Sequence, residues 1–405
     1  MDTYSLIIAA SIVIVLSSLF NILAKRTSFP SVLLLIGLGI AIRAVLESSE
    51  IDVNLFPVLE VLGVIGLIMI VLEAALDLEL RKEKRTLIIK SMIIALLGLV
   101  ISSIIITYLF RFFIPNIDFL TGFIYAIPLS IMSSAIIIPS VVNLSEDKRE
   151  FMVYESTFSD IFGIMLFYYV LGNVNSNGLQ EIAINVSTSL LTTIVVSLVL
   201  GYLLVMALQA LRGGVKFFLI LAILILLYSV GKMMHISSLL IILIFGLILN
   251  NRTVFFRGRL SKLTTRRGVA RLMDDFKLFT AETSFFVRTF FFVFFGMSMS
   301  VESLGGGKVW MLSLLVLLIL FIVRFVLFAT INPKKKYPSV WIAPRGLISI
   351  LLFFAIPEEF VISDFESGVL FVVILGTALI MAVSLMIERK GKREDHEDVN
   401  LPLEQ

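Results

Sequence analysis

The stretch MVYESTFSDIFGIMLFYYVL, Met152 to Leu171, is apolar enough along most of its length to span a bilayer, yet it carries Glu155 and Asp160. A carboxylate at bilayer depth costs at least about 2.5–3.5 kcal/mol on insertion scales, so such a residue usually faces a bundle interior or a wet cavity and serves transport or proton relay. Residues five apart on an α-helix are separated by about 140° around the axis, and residues four apart by about 40°. Glu155 and Asp160 therefore look in different directions, whereas Ser156 lies over Asp160 on one face. This argues for two separate jobs and against a carboxylate pair sharing one proton. Ser156 offers a hydroxyl oxygen beside the Asp160 carboxylate, and hard cations prefer oxygen ligands. That face is assigned to an ion.

Working outward, the whole chain has a membrane composition. Of its 405 residues 59% are hydrophobic and 16% charged, with a mean hydropathy of +1.05, far from the balance of a soluble domain. Apolar segments of roughly 17–25 residues recur with short polar connections, the pattern of a helical bundle rather than a barrel. About thirteen transmembrane helices are predicted. They form an all-α membrane domain over residues 1–388, followed by a short cytoplasmic tail at 389–405. The basic residues of the connections (Lys25 and Arg26, Arg81 to Arg85, Lys148 and Arg149, Arg212 and Lys216, Arg252 to Lys277, Lys334 to Lys336, Arg389 to Arg393) all follow odd-numbered spans. The alternate connections hold Glu47, Glu50, Asp52, Asp118, Glu181, Glu302, Glu358 and Glu359. The positive-inside rule then puts the N-terminus outside and the C-terminus in the cytoplasm of a multi-pass plasma-membrane protein. The first span has Asp2 before it and bases after it, the reverse of a secretory signal, and is expected to be retained. Cysteine is absent, which removes disulfide and thiol chemistry.

With thirteen spans, pairing the first six with the last six relates segments seven apart, and an odd offset inverts their orientation. Inverted repeats of about 1–172 and 215–388, joined by the seventh span, are characteristic of secondary transporters. Two corresponding spans look unlike ordinary membrane helices. The fifth, 119–143, contains PLSIMSSAIIIPSVV with Pro128 and Pro139; the twelfth, 338–357, reads PSVWIAPRGLISILLFFAIP with Pro344, Arg345 and Gly346 near its middle. Proline removes a backbone donor and clashes with the preceding turn, so either span can be broken there. Such a matched pair points to a binding site, although simple proline kinks would leave the same trace. Between the ninth and tenth spans, NNRTVFFRGRLSKLTTRRGVARLMDDFKLF combines bases with Phe255, Phe256, Leu260, Leu272 and Phe276. It suits a basic amphipathic segment at the cytoplasmic lipid headgroups, with a solvated connector as the other reading.

Arginines inside spans supply partners for Glu155: Arg288 in the tenth, Arg324 in the eleventh and Arg345 in the twelfth. A buried arginine stays protonated and pairs with a carboxylate or with helix-terminal carbonyls. One structural pair involving Glu155 would leave Asp160 free to exchange its proton. Glu73, at the cytoplasmic end of the third span, either reaches the same cavity or is an interfacial acid. A proton and a cation competing for one carboxylate, in a site that crosses the membrane only when occupied, give obligatory exchange: an antiporter. A proton-coupled organic-anion carrier, holding its substrate with half-helix N-termini and Arg345, is the alternative. An intramembrane aspartyl protease needs two catalytic aspartates, and only Asp160 lies deep in a span, so no enzyme is expected. There is no nucleotide-binding loop, resident metal cluster or nucleophile arrangement, and neither a cofactor nor a nucleic-acid partner is expected. His235 and His396 lie far apart at predicted edges.

These residues resemble a known family, the monovalent cation:proton antiporters, in particular the electroneutral sodium/proton exchanger branch. YESTFSDIFGI resembles that family's Glu-Ser-x-x-Asn-Asp stretch, matching at Glu155, Ser156 and Asp160, with Ser159 in place of Asn. LGVIGLIMIVLEAALDLEL resembles its third helix with Glu73 near the ion path, and SSAIIIPSVV its first crossing helix. FFFVFFGMSMS resembles the Phe-rich tenth helix, ILFIVRFVLF the eleventh and APRGLISI the Arg-Gly crossing helix. The resemblance implies Asp160 as the exchanging carboxylate, Ser156 as a ligand and a Glu155–Arg324 pair. It also implies a homodimer with a mobile core domain and a more static dimerisation domain. Ser133 and Ser134 stand with Ala135 where the family has Thr-Asp-Pro. The acid that compensates the positive ends of the half-helices there is missing; Arg345 and Arg288 are expected to serve dipole compensation at the crossing helices, and the two serines are candidate ligands. With one exchangeable carboxylate the expected ratio is one to one. Na+ is the leading cation, but carboxylate and hydroxyl oxygens also suit K+ and Li+.

Overall fold

The computed structural model describes residues 3–27, 29–48, 56–80, 82–172, 195–206, 216–233, 238–256, 266–298, 305–333, 336–362, 365 and 368–399. Among these every regular element is a helix. In order they are α1 (Thr3–Thr27), α2 (Ser31–Ser48), α3 (Phe56–Asp77), α4 (Arg85–Phe113), α5 (Phe119–Ser130), α6 (Ser134–Ser140) and α7 (Glu146–Gly172). There follow α8 (Val195–Met206), α9 (Lys216–Met233), α10 (Ser238–Asn250), α11 (Arg252–Phe255), α12 (Arg266–Ser298), α13 (Gly307–Ile331), α14 (Lys336–Ser339), α15 (Leu347–Phe354) and α16 (Gly368–Val399), with short 3₁₀ turns at Lys82–Lys84 and Glu358–Phe360. Most of the predicted seventh span, His235 and the middle of the basic connection fall outside the described residues.

Lipid as the outer solvent is visible in the side-chain pattern of α13. It buries Leu312, Val316, Leu320, Val323 and Arg324, while Leu314, Leu318, Ile322 and Phe325 are exposed on the opposite face. A helix that is apolar on its exposed side too is a helix facing hydrocarbon.

Two predicted limits move. The tenth span begins at Arg266, so the end of the basic connection is helical and continuous with the membrane helix. A 33-residue helix at 1.5 Å per residue is about 50 Å long, well beyond the hydrocarbon thickness. The last span likewise continues to Val399 instead of giving way to an irregular tail near 388. The Lys, Arg and Glu residues of ERKGKRED are good helix formers and need no apolar surroundings.

The chain divides into two compact units. The first takes residues 1–56, 88–160 and 292–405. Here α13 packs along α16, α1 lies against α2 and α6, and α5 packs on α15. Asp118 starts α5, its Oδ2 accepting the N–H groups of Leu120 and Thr121 at 3.1 and 3.2 Å, which satisfies two of the free donors of a helix start. The end of α12 touches α2 backbone to backbone. A Cβ on Gly39 would collide with Val293 O and one on Gly296 with Ile36 O, so this approach requires glycine on both sides. Arg43 Nη1 then donates to Met297 O at 3.1 Å in the last turn of α12, a favourable place for a cation.

The second unit takes residues 57–87 and 161–291. Within it α9 packs on α10. Asn251, just past α10, accepts Leu80 N–H at 2.6 Å and donates to Leu78 O at 2.8 Å. One side-chain amide thus satisfies backbone groups that α3 leaves behind at its end.

Candidate ion-binding site

Both spans singled out for their prolines are broken, and the two breaks meet. α5 ends at Ser130, Ile131 to Ser133 run extended, and α6 begins at Ser134. In the other span α14 ends at Ser339 and α15 begins at Leu347, with non-helical chain around Pro344 between them. Pro344 lies inside its break, where a proline and the restricted residue before it favour extended chain. Pro128 does not: α5 runs through it and gives out only after Ser130. What holds the first break open is the set of partners its backbone finds elsewhere.

Three consecutive N–H groups leave the helical ladder and each has an acceptor. Met132 N donates to Ser159 Oγ at 2.9 Å, Ser133 N to Pro344 O at 2.9 Å, and Ser134 N to Asp160 Oδ2 at 3.1 Å. An unpaired donor at this depth costs free energy comparable to a lost hydrogen bond, so α7 and the second break together make the unwound stretch affordable. Ser159 takes a part that the sequence did not disclose. Its signals were its place next to Asp160 and its standing where the resembled family has Asn.

The carbonyl groups are served by two arginines. Arg345, buried in the second break, donates from Nε to Leu129 O at 2.9 Å and from Nη2 to Ser130 O at 3.3 Å, which are the last carbonyls of α5. Its Nη1 donates to Ala343 O at 2.6 Å. A cation belongs at that negative helix end. Arg324 of α13 donates from Nε to Val340 O at 3.1 Å and from Nη2 to Ser339 O and Ile342 O at 2.8 and 3.2 Å. The same guanidinium meets Glu155, Nη1 to Oε1 at 2.6 Å and Nη2 to Oε2 at 3.4 Å.

The two acids of α7 thus have different partners. Glu155 goes to Arg324, and Asp160 goes to the start of α6. Asp160 Oδ1 is buried with no hydrogen-bond partner, as is Ser133 Oγ; Ser134 lies against the carboxylate. Ser156, one turn before Asp160 and fully buried, donates its hydroxyl to Val153 O at 3.1 Å, which leaves its lone pairs as acceptors. The arrangement offers hard oxygen donors around one carboxylate, a set suited to a small cation or a proton.

Glu73 and Arg288 belong to the second unit. Arg288 of α12 reaches Glu73 of α3, Nη1 to Oε2 at 4.0 Å. Of the two arginines expected to serve dipole compensation, Arg345 lies at the α5 carbonyl end, and Arg288 meets Glu73.

A helical membrane domain with two broken helices joined at their breaks, and one buried carboxylate set among hydroxyls, defines a secondary transporter of the antiporter class. The model of the sodium/hydrogen exchanger transmembrane family matches residues 11–387. The chain belongs to that family, a family of transporters, and is a cation/proton antiporter. Among solved structures it is similar to the sodium proton antiporter MjNhaP1 from Methanocaldococcus jannaschii at pH 8, at 21% identity and a TM-score of 0.68, over 96% of this chain and 99% of that one. An electron-microscopy structure of the same antiporter matches at 21% identity and a TM-score of 0.65, over 100% of this chain and 99% of that one. No curated protein matches the chain significantly.

Proposed function

We propose that the protein exchanges Na+ for H+ one for one across the plasma membrane, with the two ions competing for the Asp160 carboxylate. The observation that carries this reading is Asp160 itself: buried, fixed through Oδ2 to Ser134 N–H, and with Oδ1 unpartnered. Ser156, Ser133 and Ser134 supply further oxygens, and Glu155 with Arg324 forms a structural pair that takes no part in the exchange.

A count of charge supports the ratio. Among the described residues, the fully charged side chains that are buried are Glu155, Asp160, Arg324 and Arg345. With Asp160 ionised they sum to zero. Either a proton or a monovalent cation on Asp160 makes the sum +1, so both loaded forms carry the same charge, as electroneutral exchange requires. The organic-anion alternative is not favoured by membership of a cation/proton exchanger family. The reading includes alternating access by movement of one unit, a homodimer, and an N-terminus outside with the C-terminus in the cytoplasm. Its supports are the family resemblance and the loop charges.

The test uses purified protein in proteoliposomes with a trapped pH-sensitive dye. Asp160→Asn keeps an oxygen for Ser134 N–H but removes the exchangeable charge, and Na+-evoked proton flux falls to background. In the unmodified protein, lowering the pH raises the half-saturating Na+ concentration while the maximal rate is kept. Undiminished flux in the Asn variant, or a half-saturation indifferent to pH, would sink the proposal.

A further inference from the structure

Gly346 sits where the two breaks meet, and what it lacks matters. A Cβ there would lie 2.7 Å from Ser133 Oγ, 3.0 Å from Ser133 Cβ and 2.8 Å from Ile136 Cδ1. Ser133 cannot simply retreat, because its own N–H is bonded to Pro344 O at 2.9 Å and the next residue's N–H is bonded to Asp160. The space left by the missing side chain is taken up by the Ser133 hydroxyl.

That hydroxyl is unspent in an unusual way. Ser133 is the N-cap of α6, with φ −92° and ψ 110°, yet its side chain makes no cap hydrogen bond. Serine at this position ordinarily accepts an N–H from the first turn. Here Oγ is buried and without a partner, while the carbonyl of the same residue accepts from Ile136 and Ile137. An oxygen released from capping, buried, and one residue from the point where Asp160 is anchored is placed to serve a ligand.

We propose that Gly346, by having no side chain, fixes the place of the Ser133 hydroxyl, already assigned to the cation, and so sets cation affinity. Gly346 is a positioning residue acting through Ser133. The inference rests on the assignment of exchange to Asp160. It adds a contact between the two broken helices on which affinity, rather than the existence of exchange, depends.

Na+ titrations of dye-reported exchange in four variants test it. Ser133→Ala and Gly346→Ala each raise the half-saturating Na+ concentration roughly tenfold, the scale of one hydrogen-bonding group acting on a charge, with the maximal rate kept. The double variant is no worse than Ser133→Ala alone, because the hydroxyl that Gly346 positions is already gone. Ser133→Thr restores an oxygen and moves the half-saturation back towards that of the unmodified protein. A wild-type half-saturation in Ser133→Ala overturns the proposal, and so does a double variant that multiplies the two penalties. Should Gly346→Ala fail to accumulate in the membrane, Ser133→Ala against Ser133→Thr decides alone. Residual exchange in Asp160→Asn would remove the underlying assignment; loss of exchange there with an indifferent Ser133→Ala removes this inference only.

Discussion

Among the described residues, two acid–arginine pairs on membrane helices, one in each unit, are built differently. In the first unit Glu155 and Arg324 meet at 2.6 Å with side chains 1% and 6% exposed. In the second, Glu73 and Arg288 stand 4.0 Å apart with side chains 20% and 16% exposed. The tight pair is also a scaffold, because Arg324 donates as well to three carbonyls beside the second break and to Met132 Sδ in the first. Identical residue types therefore serve different ends, and distance and burial are what separate them.

Breaking the tight pair should give the largest effect. Glu155→Gln leaves the buried Arg324 charge without its counter-charge, a change worth about 3–5 kcal/mol. The expected outcome is a large fall in melting temperature in detergent and poor accumulation in the membrane. Replacing both partners, as in Glu155→Gln with Arg324→Met, recovers less than usual. The double change removes the unpaired charge but orphans the carbonyls of Val340 and Ile342 and leaves Ser339 O with the Ile342 N–H alone. If the double variant were as stable as the unmodified protein, the scaffold role of Arg324 would be wrong and a plain ion pair would suffice.

A smaller effect belongs to Ser159. Ser159→Ala strips Met132 N–H of its acceptor inside the bundle, at a cost of about 1–3 kcal/mol for a buried unsatisfied group. Protein should still accumulate, with a lower melting temperature, and amide exchange at Met132 measured by mass spectrometry should speed up. Restoring an oxygen with Ser159→Asn should reverse both changes. Unaltered exchange at Met132 in the Ala variant would mean that something other than α7 holds the first break open.

This contrast also marks what could be read from sequence. Asp160, Glu155 and the two unusual spans stand out because charge and proline inside an apolar run each violate a strong rule of membrane helices. The partners of the breaks do not stand out. Ser159 is an ordinary serine until Met132, 27 residues earlier, is brought against it. Arg345 acts on carbonyls 215 and 216 residues away, and carbonyls have no sequence signature at all. The position of the first break was equally hidden. Pro128 suggested a break at itself, but a proline in a membrane helix bends as readily as it breaks, and the outcome is decided by where the freed N–H groups find acceptors.

The loose pair gives the smallest effect and the sharpest check on the comparison. Glu73→Gln removes a contact at 4.0 Å between partly exposed side chains, and such pairs contribute roughly 0–1 kcal/mol. The melting temperature should hardly move, in contrast to Glu155→Gln. Any consequence should appear in transport instead, as a shift in half-saturating Na+ concentration, if Glu73 lies on the path the cation takes. A shift without loss of stability would separate a carboxylate kept for the ion from one kept for the fold. A loss of stability approaching that of Glu155→Gln would show that exposure and distance are poor guides to the work these pairs do, and the contrast between the two units would have to be abandoned.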